Sequence, residues 1–166
     1  CRLRPPGPVA PRPFFPPPPP STDHHPLPFP RHILLDEVGI EGQERILAAH
    51  ALVIGAGGLG SPVALYLGSA GVGRITLVDH DVVDLTNLQR QIAHTTQRVG
   101  QPKVASAAQA VQAINPHVQG TALQERVDVQ RLHTLVQEAT GVLDCSDNYA
   151  TRQAVKQEQI KMGWPA

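Results

Sequence analysis

The sequence predicts an α/β fold of Rossmann type, a doubly wound and mostly parallel sheet with helices on both faces. Short apolar runs that end in glycine or polar residues alternate along the chain with segments of helical periodicity. Such alternation favours parallel strands joined by crossover helices. In sheets of this kind, ligands bind beyond the carboxyl ends of the strands. A glycine-rich turn follows the first apolar run, so we expect a binding crevice there.

Four strands and four helices follow from these patterns. The predicted strands are the apolar run Ala51–Ile54 and the segments Arg74–Asp79, Val118–Leu123 and Gly141–Cys145. The predicted helices are Gly39–His50, the small-residue segment Gly60–Ala70, Pro102–Asn115 and Val129–Ala139. Helical spacing predicts which residues of three helices face inward. They are Ile46 and Leu47 in the first helix, Val104, Ala108, Val111 and Ile114 in the third, and Leu132, Leu135 and Val136 in the fourth.

The first 30 residues differ in composition from the rest. Thirteen of the 17 prolines lie there, and the run "PRPFFPPPPP" favours a polyproline II conformation. This segment is either a ligand for a proline-binding module or, as we favour, a disordered tail that is native or foreign to the domain. We therefore divide the chain into a Pro-rich tail, 1–30, and a truncated domain, 31–166. The single methionine and the initial Cys1 indicate a fragment or a processed piece.

Charge and cysteine content exclude several classes of protein. The formal net charge is zero, so no basic footprint for nucleic acid is present. No apolar stretch approaches the roughly 20 residues that a membrane span requires. Cys1 and Cys145 form neither a disulfide framework nor a pair with metal spacing. We expect a soluble protein of the cytoplasm that binds neither nucleic acid nor membrane.

The glycine-rich turn predicts a phosphate-binding site. Gly55, Gly57 and Gly60 form G-x-G-x-x-G between a predicted strand and a predicted helix, where free N–H groups and the helix dipole attract phosphate. Asp79 ends the next strand, 19 residues beyond Gly60, where its carboxylate can accept hydrogen bonds from ribose hydroxyls. This pattern fits NAD, FAD and ATP equally, and the glycines could also serve only a tight turn.

Further motifs distinguish among these nucleotides. Between Arg31 and Arg152 the sequence resembles the ThiF/MoeB/HesA family, which is related to the ubiquitin-activating enzymes. The matching segments are "RHILL" at 31–35, "GIEGQERI" at 39–46, "GAGGLGSP" at 55–62, "AGVG" at 70–73, "DLTNLQRQ" at 84–91, "VGQPK" at 99–103, "INPH" at 114–117 and "LDCSDN" at 143–148.

The resemblance implies an ATP-dependent adenylyltransferase that joins AMP to the C-terminal glycine of a ubiquitin-like sulfur-carrier protein. It implies that Arg90, Lys103 and Asp147 are catalytic, and that Asp147 orients Mg²⁺ through ATP. It also implies that Arg31 reaches ATP from the second subunit of a homodimer. The implied nucleotide-binding residues are Gly55, Gly57, Gly58, Gly60, Asp79, Asn87, Arg90, Gln91, Lys103, Asp147 and Arg31.

Other side chains near these motifs have simpler interpretations. We expect Asp81 and Asp84 to be turn or capping residues, and Asp147 could itself cap the helix that follows the fourth strand. Cys145 is not expected to be a nucleophile, because a buried cysteine is usually inert. The histidines, including His94, show no ligand spacing.

The family pattern is incomplete in this chain. From Lys156 the sequence no longer follows the family's pattern, and the resemblance places a zinc site of paired cysteines only in a missing C-terminal part. Two alternatives therefore stay open. One is an NAD- or FAD-binding oxidoreductase domain, and the other is a truncated, non-catalytic nucleotide-binding protein.

Overall fold

The computed structural model describes residues 38–163 of the 166-residue chain, so the Pro-rich tail lies outside the described residues. Helices and strands alternate throughout this part. The strands are β1 (His50–Ile54), β2 (Arg74–Val78), β3 (Gln119–Leu123) and β4 (Gly141–Asp144). The helices are α1 (Gly39–Ala48), α2 (Gly60–Ala70), α3 (Lys103–Ile114), α4 (Val129–Glu138) and α5 (Tyr149–Lys161), with 3₁₀ turns at Leu85–Asn87 and Thr96–Arg98.

The sheet is parallel and has the order β3–β2–β1–β4. From β1 the chain proceeds outward through β2 to β3, and it then returns so that β4 pairs with the other side of β1. The order therefore reverses between β1 and β4, which is where doubly wound sheets bind ligands. This confirms the predicted fold class, and every pair of neighbouring strands is parallel.

Two apolar layers cover the two faces of the sheet. Alternate residues of β1 point to opposite sides, as the two-residue period of a strand requires. Ala51 and Val53 join the layer beneath α2 and α3, whereas Leu52 and Ile54 join the layer beneath α4 and α5. Both sets are buried, which explains why Ala51–Ile54 of β1 is a continuous apolar run with no polar alternation.

The predicted boundaries agree with the structure within one or two residues, but some predicted faces are wrong. Ile114 was expected on the inner face of α3, yet it is the last helical residue and is exposed. In α1, Ile46 packs against the core only partly and Leu47 is half-buried, whereas the fully buried side chain is Gln43. No helix within residues 38–163 combines the length and hydropathy needed to cross a bilayer.

The two ends of the expected α3 face should differ in their contribution to stability. Val111 is buried against Gly68 of α2, whereas Ile114 is exposed. We expect Val111→Ala to lower the free energy of unfolding by about 2 kcal/mol, because it removes two buried methyl groups and leaves a small cavity. The matched change Ile114→Ala should cost less than about 1 kcal/mol. Urea unfolding measures both, and equal losses would contradict the observed orientation of α3.

Candidate functional site

A cleft of about 750 Å³ lies at the carboxyl ends of the strands. Segments after all four strands contribute to its walls, as does the connection that crosses from β2 to α3. Of the eleven predicted nucleotide-binding residues, nine line the cleft: Gly55, Gly57, Gly58, Asp79, Asn87, Arg90, Gln91, Lys103 and Asp147. Gly60 lies behind the turn, and Arg31 lies outside the described residues. The structure thus brings together most of the residues that the motifs indicated.

Two glycines of the turn are required by packing within the protein. Gly55 has φ of +95°, in the left-handed region that glycine tolerates best, and a Cβ there would lie 2.7 Å from the Cys145 carbonyl oxygen. At Gly60 a Cβ would lie 1.8 Å from the Gly55 carbonyl oxygen. These two positions hold β1, the turn and α2 in close contact.

Gly57 and Gly58 differ from Gly55 and Gly60. A Cβ at Gly57 or Gly58 would meet no protein atom closer than 3.5 Å, which is ordinary van der Waals contact. Neither residue has a positive φ. Both line the cleft, so the absence of their side chains leaves backbone open to the cleft.

Asp79 is fixed against the turn from the neighbouring strand. Its Oδ2 accepts a hydrogen bond from the Ala56 N–H at 2.7 Å, and its Oδ1 accepts one from the Asp81 N–H at 2.8 Å. Each carboxylate oxygen has a second lone pair. The carboxylate can therefore accept further hydrogen bonds from a ligand in the cleft.

Lys103 begins α3 and is buried, with only 8% of its side chain exposed. Its Nζ donates to Asp81 Oδ2 at 2.8 Å, and its backbone N–H donates to the Asp81 carbonyl at 3.0 Å. The hydrogen bond from Lys103 is the main reason that the pKa of Asp81 lies below its ordinary value. Asp81 is therefore more than the turn residue that the sequence suggested.

The second predicted cation, Arg90, has a different environment. It is exposed, and its guanidinium donates to the amide oxygen of Asn87 at 2.8 Å. Gln91 follows on the same segment but is buried, and its Oε1 has no hydrogen-bond partner in the described part of the chain. Asp84 precedes this segment and accepts from the Thr86 N–H, which confirms the capping role expected for it.

The loop after β4 contributes Asp147 to the cleft. The alternative that Asp147 caps the following helix is wrong, because Asn148 is the N-cap and accepts from the Ala150 N–H at 2.9 Å. The exposed Asp147 carboxylate has no hydrogen-bond partner within residues 38–163. Burial raises the pKa of the neighbouring Cys145 thiol, which agrees with the expectation that Cys145 is not a nucleophile.

His94 connects the glycine turn to α3 from below the cleft. The Ala56 carbonyl can only accept, so His94 Nε2 donates to it at 2.9 Å, and the Ser106 hydroxyl faces Nδ1 at 2.9 Å. The ring is buried. Burial, more than any neighbouring charge, lowers the pKa of His94 below its ordinary value. This histidine is structural, as the lack of ligand spacing suggested.

The sequence analysis missed two parts of the cleft. Residues 125–127 line it from the loop after β3, and Thr151 and Arg152 line it from the first turn of α5. The rule that ligands bind beyond the carboxyl ends of strands, when it is extended to the strand Gln119–Leu123, predicts the first part. The second part had no such signal, because the helix after the fourth strand was expected only as one that Asp147 could cap, with no bounds or face assigned to it.

The sequence comparison with known families agrees with this geometry. The model of the ThiF family matches residues 29–166. The chain is a member of the ThiF family. The match confirms the resemblance drawn from the motifs. It continues to residue 166, so the expectation that the chain departs from the family's pattern from Lys156 is wrong.

Individual relatives cover most of this ThiF-family chain. The sulfur carrier protein ThiS adenylyltransferase of Escherichia coli K12 is 45% identical over 137 residues, which are 82% of this chain and 55% of the relative. The SAMP-activating enzyme E1 of Haloferax volcanii is 48% identical over 124 residues, 75% of this chain and 46% of the relative. This ThiF-family chain therefore spans about half the length of these relatives.

A solved structure resembles the fold over the same region. The E. coli tRNA N6-threonylcarbamoyladenosine dehydratase TcdA, in complex with ATP, superposes with a TM-score of 0.71. It is 29% identical in sequence, and the match covers 76% of this ThiF-family chain and 54% of TcdA.

The buried His94 predicts a pH-dependent stability. Its folded pKa lies below the ordinary value of 6.5, so the unfolded chain binds the proton more readily and stability falls as pH decreases through 6.5. We expect His94→Gln to remove part of the decrease in Tm between about pH 7 and pH 5, because glutamine does not titrate. The unsubstituted protein, which retains His94, should show the full decrease. Identical pH profiles for the two proteins would contradict this role of His94.

Proposed function

We propose that this chain forms the ATP-binding part of an adenylyltransferase that activates the C-terminal carboxylate of a ubiquitin-like sulfur-carrier protein. The observation that most supports the proposal is the cleft in which an open glycine backbone, Asp79 and two cations, Arg90 and Lys103, occur together. The names of the ThiS adenylyltransferase and the SAMP-activating enzyme, and the ATP complex of TcdA, support the same function.

ATP would lie with its phosphates near the glycine turn. Gly57 and Gly58 leave their backbone open to the cleft, where phosphate oxygens can approach N–H groups at the start of α2. Asp79 would accept hydrogen bonds from the ribose hydroxyls, and the amides of Asn87 and Gln91 would contact the phosphate side.

The reaction forms one P–O bond and breaks another. A carboxylate oxygen of the carrier attacks the α-phosphorus, the bond to the bridging oxygen breaks, and pyrophosphate leaves with the electron pair. Negative charge increases on the phosphoryl oxygens and the leaving group during this step. Arg90 and Lys103 would stabilise that charge, Arg90 as a forked donor and Lys103 as a compact charge.

Asp147 is the residue best suited to hold Mg²⁺. Its carboxylate lines the cleft without a protein partner in the described region, and Mg²⁺ prefers oxygen ligands. When bound, the ion would neutralise phosphate charge. Asp79 is less suited, because both of its oxygens already accept backbone hydrogen bonds.

The complete protein would include parts beyond this chain. By resemblance we propose a homodimer in which Arg31 of one subunit reaches the ATP of the other, and a zinc site of paired cysteines in the remaining part. Arg31 lies outside the described residues. Binding of NAD or FAD, the alternative that the glycine turn left open, is disfavoured by membership of the ThiF family. Direct competition between ATP and NAD for the cleft would test this choice.

The proposal predicts that both cations are needed for catalysis. In the complete protein, with the carrier present, Arg90→Ala and Lys103→Met should each reduce ATP–pyrophosphate exchange by about 100-fold or more, since each removes a group that stabilises phosphate charge. Arg45→Ala is the matched control, because Arg45 is an exposed arginine of α1 whose ion pair is with the exposed Glu41. Exchange within a few fold of the unsubstituted protein in either cleft variant would overturn the role given to that residue.

The two kinds of glycine should respond differently to alanine. Gly58→Ala should leave the free energy of unfolding unchanged within about 0.5 kcal/mol, because its Cβ meets no protein atom closely, but should weaken ATP binding at the open backbone. Gly60→Ala should destabilise the fold by about 2 kcal/mol or more, because its Cβ meets the Gly55 carbonyl oxygen. Urea unfolding and calorimetric titration with ATP separate these effects. Unimpaired ATP binding by Gly58→Ala would contradict the proposal that phosphate approaches the open backbone at Gly58.

A further inference from the structure

We propose that Asp81 is a positioning residue of the nucleotide site, which holds the Lys103 ammonium at the cleft in the orientation that phosphate binding requires. The inference rests on the proposed function and adds to it a residue that neither the motifs nor the family resemblance assigned to the site. Acidic side chains in the cleft wall would repel a triphosphate, so the presence of Asp81 beside Lys103 requires an explanation.

The contact between the two residues is a double one. Residues 81–83 run antiparallel to residues 100–103, with a bridge between Val82 and Pro102 and a hydrogen bond from the Val83 N–H to the Gln101 carbonyl. This pairing aligns the backbones of Asp81 and Lys103, and the 2.8 Å ion pair between Asp81 Oδ2 and Lys103 Nζ closes it. Both residues line the cleft.

Burial explains why Lys103 needs a fixed partner. An ammonium group removed from water is unfavourable unless it is paired, and Lys103 is the buried lysine of the cleft. Asp81 is half-exposed, with 51% of its side chain accessible. The acid therefore remains hydrated while it holds the cation, so the pair avoids the full cost of burying two charges.

Asp81 is also connected to the remainder of the site. Its backbone N–H donates to Asp79 Oδ1, and Asp79 Oδ2 accepts from Ala56 of the glycine turn. On its other side, Asp81 Oδ1 lies 3.3 Å from His80 Nε2, which in turn lies 3.0 Å from a guanidinium nitrogen of Arg126. Hydrogen bonds through two acids, Asp81 and Asp79, thus connect Lys103 to the glycine turn.

Two opposite effects of Asp81 can be separated by experiment. If Asp81 acted only through its charge, its removal would strengthen the binding of ATP, because a negative group near the phosphates would be lost. If it positions Lys103, its removal weakens binding despite that gain. The sign of the change therefore distinguishes the two roles.

We expect Asp81→Ala to weaken ATP binding about tenfold, the effect of losing one charge-assisted hydrogen bond. Asp81→Asn should bind ATP with intermediate affinity, because its amide oxygen can still accept from Lys103. Binding of adenosine, followed by NMR titration, should not change, because adenosine carries no phosphate. The substitution spares the hydrogen bond to Asp79, which comes from the Asp81 backbone.

Asp84→Asn is the matched control. It removes an acid three residues away that does not contact Lys103, and asparagine preserves the cap on Thr86. In a double-mutant cycle, Asp81→Ala should add little to the loss caused by Lys103→Met, since Asp81 acts through Lys103.

Three results would overturn the inference. They are unchanged or stronger ATP binding by Asp81→Ala, an equal loss of adenosine binding, and additive losses in the cycle. The proposed function would survive each of them as long as the unsubstituted protein binds ATP. Failure of the unsubstituted protein to bind ATP would overturn both.

Discussion

The close approach of α2 to the turn after β1 is the constraint on which the rest of the site depends. Because Gly60 has no side chain, the first turn of α2 can lie against the Gly55 carbonyl. The turn is also held from β2, since the Gly55 N–H donates to the Val78 carbonyl at 2.7 Å. The backbone after β1 therefore has little freedom. Gly57, Gly58 and Leu59, which lead into α2, line the cleft, and the N-cap Leu59 makes no side-chain capping hydrogen bond.

From this turn, two hydrogen-bonded routes lead to α3. One passes from the Ala56 N–H through Asp79 and Asp81 to Lys103, and the other from the Ala56 carbonyl through His94 to Ser106. Both routes begin at the backbone of a single residue, Ala56, and end within one turn of the same helix. Ala56 thus uses its donor and its acceptor to fix how far the glycine turn lies from Lys103.

The sequence predicted the sheet well because its core is built from local patterns. From Ala51 to Ile54, β1 is an apolar run that is buried on both faces and is followed by a glycine, so its length and composition were enough to predict it. Ile114 shows where this approach fails. Helical spacing assigns it to the inner face of α3, but it lies at the end of the helix and is exposed. The buried Gln43 shows the converse, since spacing gives no sign that a polar side chain is enclosed.

The site could be predicted only partly, for a related reason. Its residues were predicted from motifs and strand ends. These show which residues lie near the site, but they do not show which side chains contact each other. The pairing of Asp81 with Lys103 depends on an antiparallel bridge between irregular segments, and no periodicity marks such a bridge. Hence Asp81 was assigned to a turn, and the loop after β3 was not assigned at all.

The two cations of the cleft illustrate how burial determines the partner that a charge requires. Arg90 is exposed, and a neutral amide, Asn87, is enough to orient it because water solvates the rest of its guanidinium. Lys103 is buried and is paired with a carboxylate, since no neutral acceptor would offset the loss of its hydration. A site that bound anions only by accumulating positive charge would exclude acids from its walls. Here the acid beside Lys103 allows its ammonium to be held away from bulk water, where its attraction for phosphate is least screened.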